Sequence, residues 1–473
     1  MPTRNRRGAA VLTGLAAILL VVAAPGAAAV PANWTGYLFG PEHGSYNAAA
    51  TAVTPANVRS LTSYWQFLPD AATQPGQPGP AVYSSPTYVD GRVYVGASTG
   101  VFYALDLATR TVVWSRFLGF VTAKTCGAQG FISTATVVPD PNRGDLLTVY
   151  VAAADGNLYA LDAGTGDVVW QALVATPSST ESDYFDWGSP AVRDGKVWMG
   201  ISSQCDKPLV RAGVMGFDQA TGTPLGTYFS VPEGERGASV WSSVAVDAAD
   251  RVFAATGNGP AGTDAESIVR IDGTTMARED GWRVPSSQNS PDDDFGGSPT
   301  LFTATRNGVQ VPMVGACNKN GRYYALRQDD LSAGPVWQRA VARPNAAGQS
   351  ACLAAAVWDG SRLFVAGTST TVGGKAFAGS VRRLNPSTGR VVWARGLTKG
   401  ILGTPTLNGS GVLAAGSYVT GGADVVYLIN AANGKLLRTI SVGPNAVWGQ
   451  PVFADNYLLV PTAGPTGLFV YRI

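Results

Sequence analysis

Ala104-Leu-Asp106-Leu-Ala-Thr109-Arg-Thr-Val-Val-Trp114 and Ala160-Leu-Asp162-Ala-Gly-Thr165-Gly166-Asp-Val-Val-Trp170 are two copies of one eleven-residue pattern, Ala-x-Asp-x-x-Thr-Gly-x-x-x-Trp, the first with Arg110 in place of the Gly. Weaker copies follow at Gly216-Phe-Asp218 with Thr221-Gly222, Arg270-Ile-Asp272, Ala325-Leu-Arg327 with Trp337, Arg383-Leu-Asn385 with Thr388-Gly389 and Trp393, and Leu428-Ile-Asn430 with Asn433-Gly434. Anchored on residues 106, 162, 218, 272, 327, 385 and 430, the period is about 55 residues, and a fixed period of that size marks a repeat architecture.

A second element precedes each anchor. Ser85-Pro86-Thr-Tyr-Val-Asp90-Gly91-Arg-Val-Tyr-Val-Gly96 places two β-branched and aromatic runs around an Asp-Gly turn, a strong hairpin signal. Ser189-Pro190 through Gly200 repeats it, and Ser298-Pro299, Thr404-Pro405 and Gln450-Pro451 open the same element later. Each unit therefore reads as four antiparallel strands, with the Thr-Gly turn before a last strand that carries Trp. One such sheet cannot bury both faces, whereas sheets stacked radially bury each against its neighbours. The small turn supplies a sharp bend and the Trp ring is expected to cover the next unit. Ser63-Tyr-Trp65-Gln-Phe67 and Gly467–Ile473 remain at the two ends and are expected to pair as one more unit. The fold expected is an all-β, eight-bladed β-propeller of four-stranded antiparallel blades, filling 30–473 as a single domain.

Composition agrees. Of 473 residues, 58 are Gly and 30 Pro, and charged side chains make up 14%, against roughly 25% in ordinary soluble proteins, which excludes long helical bundles and coiled coils. Lys plus Arg number 34 and Asp plus Glu 32, with no basic stretch beyond the first ten residues, so nucleic acid is not an expected partner. Arg4, Arg6 and Arg7 precede an apolar run from Ala9 to about Ala24, and Ala27-Ala28-Ala29 offers a cleavage site. Residues 1–29 thus read as a signal peptide, placing the product in the secreted or cell-envelope compartment, with no membrane span expected once it is removed. In that setting Cys126, Cys205, Cys317 and Cys352 imply two disulfides among three pairings.

The blade pattern resembles the tryptophan-docking repeat of the eight-bladed quinoproteins, which bind pyrroloquinoline quinone. The opening Trp34-Thr-Gly-Tyr37, Gly44-Ser-Tyr-Asn47 and Val53-Thr-Pro-Ala-Asn57-Val58 is also similar to theirs, and the nearest variety is the polyvinyl-alcohol-dehydrogenase-like group. The resemblance implies a cofactor site, carried over residue by residue. Trp241, in Ser-Val-Trp241-Ser-Ser, matches the Trp that stacks beneath the quinone, although a blade-packing role is the alternative. Asn258, in Thr-Gly257-Asn258-Gly259, matches a calcium-binding amide, and between two glycines it also suits a plain turn. Asp294, in Asp-Asp-Asp294-Phe295-Gly296, matches the catalytic base, which also serves as a calcium ligand, while Asp292 and Asp293 read as solvated neighbours. Lys319, before Asn320-Gly321, matches the cation that hydrogen-bonds the quinone oxygens.

Three departures accompany these matches. Where the family carries a calcium-binding Glu, the segment Ile201–Asp206 offers only Gln204, or Asp206 with a shift of register. Cys126 stands alone where several relatives have adjacent cysteines. There is no CxxCH, so no covalent haem is expected and electrons would pass to a separate acceptor. The single histidine, His43, argues against Ser-His or Cys-His nucleophiles and reads as a surface or capping residue. Two functions follow as expectations. One is a calcium-dependent quinoprotein dehydrogenase oxidising a small-molecule or polymeric alcohol, and the other a cofactor-free propeller binding protein or polysaccharide at the cell envelope.

Overall fold

In a computed structural model of the chain, which describes residues 1–2, 31–344, 352–418 and 422–473, each repeat is a four-stranded antiparallel meander. The expected signal segment lies, but for its first two residues, outside the described part. The first turn of the meander forms because Asp90 and Gly91 both take positive φ, 50° and 84°, as do Asp194 and Gly195, at 44° and 78°. That pair of angles makes the primed turn whose twist suits a hairpin. Blades 1–7 span 87–117, 136–173, 191–229, 245–283, 300–340, 357–397 and 406–443, and blade 8 joins Thr62–Phe67 to three strands within 452–472. Among the described residues no helix is long and apolar enough to cross a membrane.

The core consists of eight wedges, one between each pair of adjacent blades. In Val93-Tyr94-Val95 the two valines pack toward blade 8 and the tyrosine toward blade 2. Both faces of a blade's inner strands are thus buried, which is why those strands read as continuous apolar runs rather than alternating ones.

The repeat residues lock these wedges. Trp114 Nε1 donates to Ala163 O of blade 2 at 3.1 Å, and its ring lies so close over Gly166 that a Cβ there would sit 2.6 Å from it. Gly166 has φ of 76°, so the position requires glycine on both counts. The contact recurs from Trp170 onto blade 3, from Trp337 onto blade 6 and from Trp393 onto blade 7. Asp162 Oδ1 accepts from the N–H groups of Gly164 and Thr165 at 2.8 and 2.9 Å, building the turn on which Trp114 docks. Blade 3 has Gly226 on its last strand in place of the tryptophan, and Trp198, from its second strand, reaches blade 4 instead, donating to Gly273 O at 2.9 Å.

Closure uses both ends of the chain. Thr62–Phe67 pairs antiparallel with Leu468–Arg472, with Trp65 opposite Val470. Around the axis, the N–H of Ser85 donates to Thr134 Oγ1, Thr134 to Ser189 Oγ, Ser189 to Ser243 Oγ and Ser243 to Ser298 Oγ, at 2.8–3.0 Å, and Gln450 N to Ser85 Oγ at 2.9 Å. The hydroxyls that open blades 1–5 are therefore a belt joining blade to blade. Below the belt, residues 34–47 form a strap across the axis. It bonds through main chain to Tyr88, Val137, Val246, Leu301, Trp358 and Leu407, while Glu42 pairs with Arg193 and Asn47 Nδ2 donates to Phe453 O at 3.0 Å. The strap thereby touches every blade. His43 lies within it, 2% exposed, with Nδ1 donating to Pro299 O at 2.7 Å. It is thus not the surface residue expected from sequence, and burial, against the pull of that carbonyl, lowers its pKa to about 4.

Candidate active site

The loops that lead into each first strand converge above the belt around a cavity of about 380 Å³ on the axis. Tyr37 of the strap is among its lining residues, together with Trp187, Trp241, Trp448, Leu353 and the belt hydroxyls. Gln129 and Gln450 also line it, and each has a buried Oε1 with no hydrogen-bond partner among the described residues. An enclosure with five aromatic side chains among hydroxyls and glycines, and a few unsatisfied polar atoms, suits a flat, polar-edged ligand.

Trp241 stands on the loop between blades 3 and 4, Asp294 on the loop between blades 4 and 5, and Asn258 and Lys319 on loops between the second and third strands of blades 4 and 5. The structure brings all four together. Trp241 Nε1 donates to Asp294 Oδ2 at 2.9 Å, and Lys319 Nζ pairs with Asp294 Oδ1 at 2.6 Å while lying 5.2 Å from the centre of the Trp241 ring. Lys319 also pairs with Asp292 at 2.8 Å, and Asn258 Nδ2 donates to both Asp292 and Asp206 at 3.1 Å. Lys319 N donates to Asp294 O at 3.0 Å, which fixes the two segments to each other through the main chain.

Burial sets the electrostatics. Asp294 is 1% exposed, and burial pushes its pKa up to about 6, with the Lys319 ammonium and the Trp241 N–H opposing a further rise. Burial also works against the charge on Lys319, but the carboxylates of Asp294 and Asp292 outweigh it and hold its pKa above the ordinary value. Burial raises Asp206 likewise, countered by the Asn258 amide and by Lys319. A carboxylate poised near neutrality beside a fixed cation is the arrangement of a general base.

Two sequence expectations about neighbours change. Asp292 is solvated as expected, its side chain 51% exposed, but also joins the network through Lys319 and Asn258, whereas Asp293 is 2% exposed, its Oδ2 accepting from Ser290 N at 2.9 Å. Of the two residues offered for the family's Glu, Asp206 reaches Asn258, whereas Gln204 turns its amide to Gly127 O at 2.9 Å. The disulfides are Cys126–Cys205 and Cys317–Cys352, and each flanks the site: Cys205 precedes Asp206, and Cys317 lies two residues before Lys319.

Residues 34–353, more than half of the chain, match the model of the glucose/ethanol/alcohol dehydrogenase β-propeller domain. The chain belongs to that family. All four site residues fall within the matched stretch. A second model, outer membrane protein assembly factor BamB, matches residues 319–464. The quinohemoprotein alcohol dehydrogenase of Comamonas testosteroni is 29% identical over 237 residues, 44% of this chain and 31% of that protein. Lupanine 17-hydroxylase [cytochrome c] of a Pseudomonas species is 25% identical over 360 residues, 65% of this chain and 47% of that protein. The aligned stretches thus span a third to a half of those relatives. In fold, the Comamonas enzyme's crystal structure superposes with a TM-score of 0.70 at 18% identity, over 93% of this chain and 80% of that one. A europium-containing methanol dehydrogenase gives 0.71 at 16% identity, over 93% and 98%.

Within this propeller, sequence reasoning missed Tyr37, Trp187 and Trp448 as cavity residues. Trp187 and Trp448 share a signal with Trp241, each preceding its blade's first strand instead of following the Thr-Gly turn. Tyr37 had no such signal, since the strap that carries it finds its place only once the ring exists.

Proposed function

We propose that this propeller is a quinoprotein dehydrogenase that oxidises an alcohol at the axial cavity, with Asp294 as the base. The convergence of Trp241, Asp294 and Lys319 at one mouth carries this reading. Bound in the cavity, pyrroloquinoline quinone supplies the two-electron acceptor for the alcohol carbon. The indole of Trp241 offers it a flat face, and the unpartnered amide oxygens of Gln129 and Gln450 are acceptors that suit a ring N–H. Trp241 fixes one oxygen of Asp294 and Lys319 the other, so the carboxylate is oriented before the alcohol proton reaches it. Near-complete burial excludes water from that oxygen, and the Lys319 charge stabilises negative charge developing at the mouth.

Calcium belongs to the same proposal, held by Asp206, Asn258 and Asp294, with the Asn258 amide turned so that its oxygen faces inward. Asp206 and Asp294 would supply carboxylate oxygens and Asn258 an amide oxygen, donors that suit a hard cation, and the Asn258 amide already contacts Asp206 and Asp292. Electrons leave to a separate acceptor. The two disulfides support an oxidising, extracytoplasmic setting.

Titration of the folded chain with pyrroloquinoline quinone and calcium, followed by dye-linked alcohol oxidation, tests the proposal. Stoichiometric binding lost in Trp241→Ala, with turnover lost in Asp294→Asn, is the expected result. A folded protein that binds no cofactor would overturn it.

A further inference from the structure

We propose that a cleft at the rim between blades 3 and 4 binds an organic monocarboxylate, with Arg211 as its clamp. The cleft has a volume of about 720 Å³ and lies on the outer side of the loops that carry Asp206 and Asn258. Three arginines face it, and two are already matched. Arg278 forks onto Asp264 at 2.8 and 2.9 Å, and Asp264 also takes the Tyr228 hydroxyl at 2.5 Å. Arg283 pairs with Glu266 at 2.8 Å. Arg211 differs. Among the described residues no carboxylate or carbonyl accepts from its guanidinium, and its Nε is shut off from solvent without a partner. Glu181, Asp183 and Glu235, in the depression on its other side, make no ion pair with it.

The guanidinium is nonetheless held in place. Its carbon lies 3.7 Å from the centre of the Phe229 ring, and the Arg211 backbone bridges that of Gly237, with Gly237 N donating to Val210 O at 2.7 Å. A flat, preorganised guanidinium with its donors unused matches a planar carboxylate in fork geometry. Charge selects the ligand's valence. Asp264 and Glu266 match two of the three arginines, and Glu181, Asp183 and Glu235 lie on the far side of Arg211, so a monoanion adds the least negative charge and a phosphate dianion would add more beside those carboxylates. Trp282, Ser230 and Thr263 line the remainder, an amphipathic wall for the acid's organic body.

Calorimetric titration of the full chain with glucuronate, benzoate, glucose and inorganic phosphate tests this, using wild type, Arg211→Gln and Arg211→Lys of matched melting temperature. We expect saturable binding of glucuronate or benzoate with a dissociation constant of about 1 mM or tighter, and none of glucose. Arg211→Gln should weaken it about tenfold or more, and Arg211→Lys, which keeps the charge but loses the fork, should fall between. Which acid binds tells a sugar acid from an aromatic one. Equal binding by Arg211→Gln, binding of neither acid, or binding of phosphate alone would each overturn the proposal. The readout requires no quinone and no turnover, so it fails or succeeds independently of the dehydrogenase reading.

Discussion

Trp241 Nε1 donates to Asp294 Oδ2 across 2.9 Å, so the indole expected to carry a flat cofactor also orients the carboxylate expected to act as base. The pair links two roles that the sequence presents 53 residues apart. Trp241→Phe should therefore lower turnover as well as cofactor affinity, while a mere packing residue would alter stability alone.

The pH profile gives a sharper check. Asp294 acts as a base only when ionised, so kcat/KM should rise with pH as it ionises, with a midpoint below the metal-free value of about 6, because calcium on the same carboxylate favours its charged form. Lys319→Ala removes the cation that restrains the rise, moving the midpoint upward, whereas Lys319→Arg should retain it. Asp294→Asn should lose about 10²–10⁴-fold in rate. Because the folded value lies above that of a free carboxylate, the native state holds this proton more tightly than the unfolded chain does. Ionisation of Asp294 therefore subtracts stability as pH rises from about 4 to about 6, and Asp294→Asn should show less of that decline in pH-dependent melting.

Asp206 and Gln204 separate cleanly by substitution. Asp206→Asn should weaken calcium binding by about tenfold or more in direct titration, since one charged oxygen is lost from a small donor set. Gln204→Ala, whose amide faces Gly127, should leave calcium affinity unchanged.

Docking tryptophans should dominate stability. Trp170 is 9% exposed, covers Gly222 and donates to Gln219 O at 3.0 Å, so Trp170→Ala should cost about 3–5 kcal/mol in denaturant unfolding. Val169, beside it but 39% exposed, should change stability by no more than about 0.5 kcal/mol when replaced by Thr.

The Cys126–Cys205 bond closes a separation of 79 residues, and replacing both cysteines by Ser should cost about 2–4 kcal/mol. It also tethers the segment that presents Asp206. Calcium affinity should fall with it, whereas loss of Cys317–Cys352 should act first on Lys319 and the pH profile.

The fold was legible because its determinants are local and repeated. Asp162, Gly166 and Trp114 each act within one turn or between neighbouring blades, so a period of about 55 residues exposes them. Blade 4 shows where this fails: Asp280 occupies the tryptophan position and accepts from Leu331 N at 2.6 Å, a different junction that the pattern cannot encode. At the site, Trp241, Asn258, Asp294 and Lys319 were legible by their order along the chain. Asp292 was not, because its partners Asn258 and Lys319 lie on other loops and a run of three aspartates looks solvated in one dimension. His43 misled for the same reason, since polar character near a chain end says nothing about a strap that turns inward beneath the axis.

That strap bears on timing as well as shape. Residues 34–47 emerge early in synthesis, yet Asn47 must wait for Phe453, 406 positions later, and Thr62–Phe67 for Leu468–Arg472. Contacts of such separation form late and slowly. Until the last blade exists, the growing ring has open sheet edges and an unoccupied axis, and a C-terminal truncation that removes the blade 8 strands leaves it in that state. Assembly is thus gated by completion: an early segment, residues 34–47, acts as the final latch, and partially made chains are the species most exposed to aggregation.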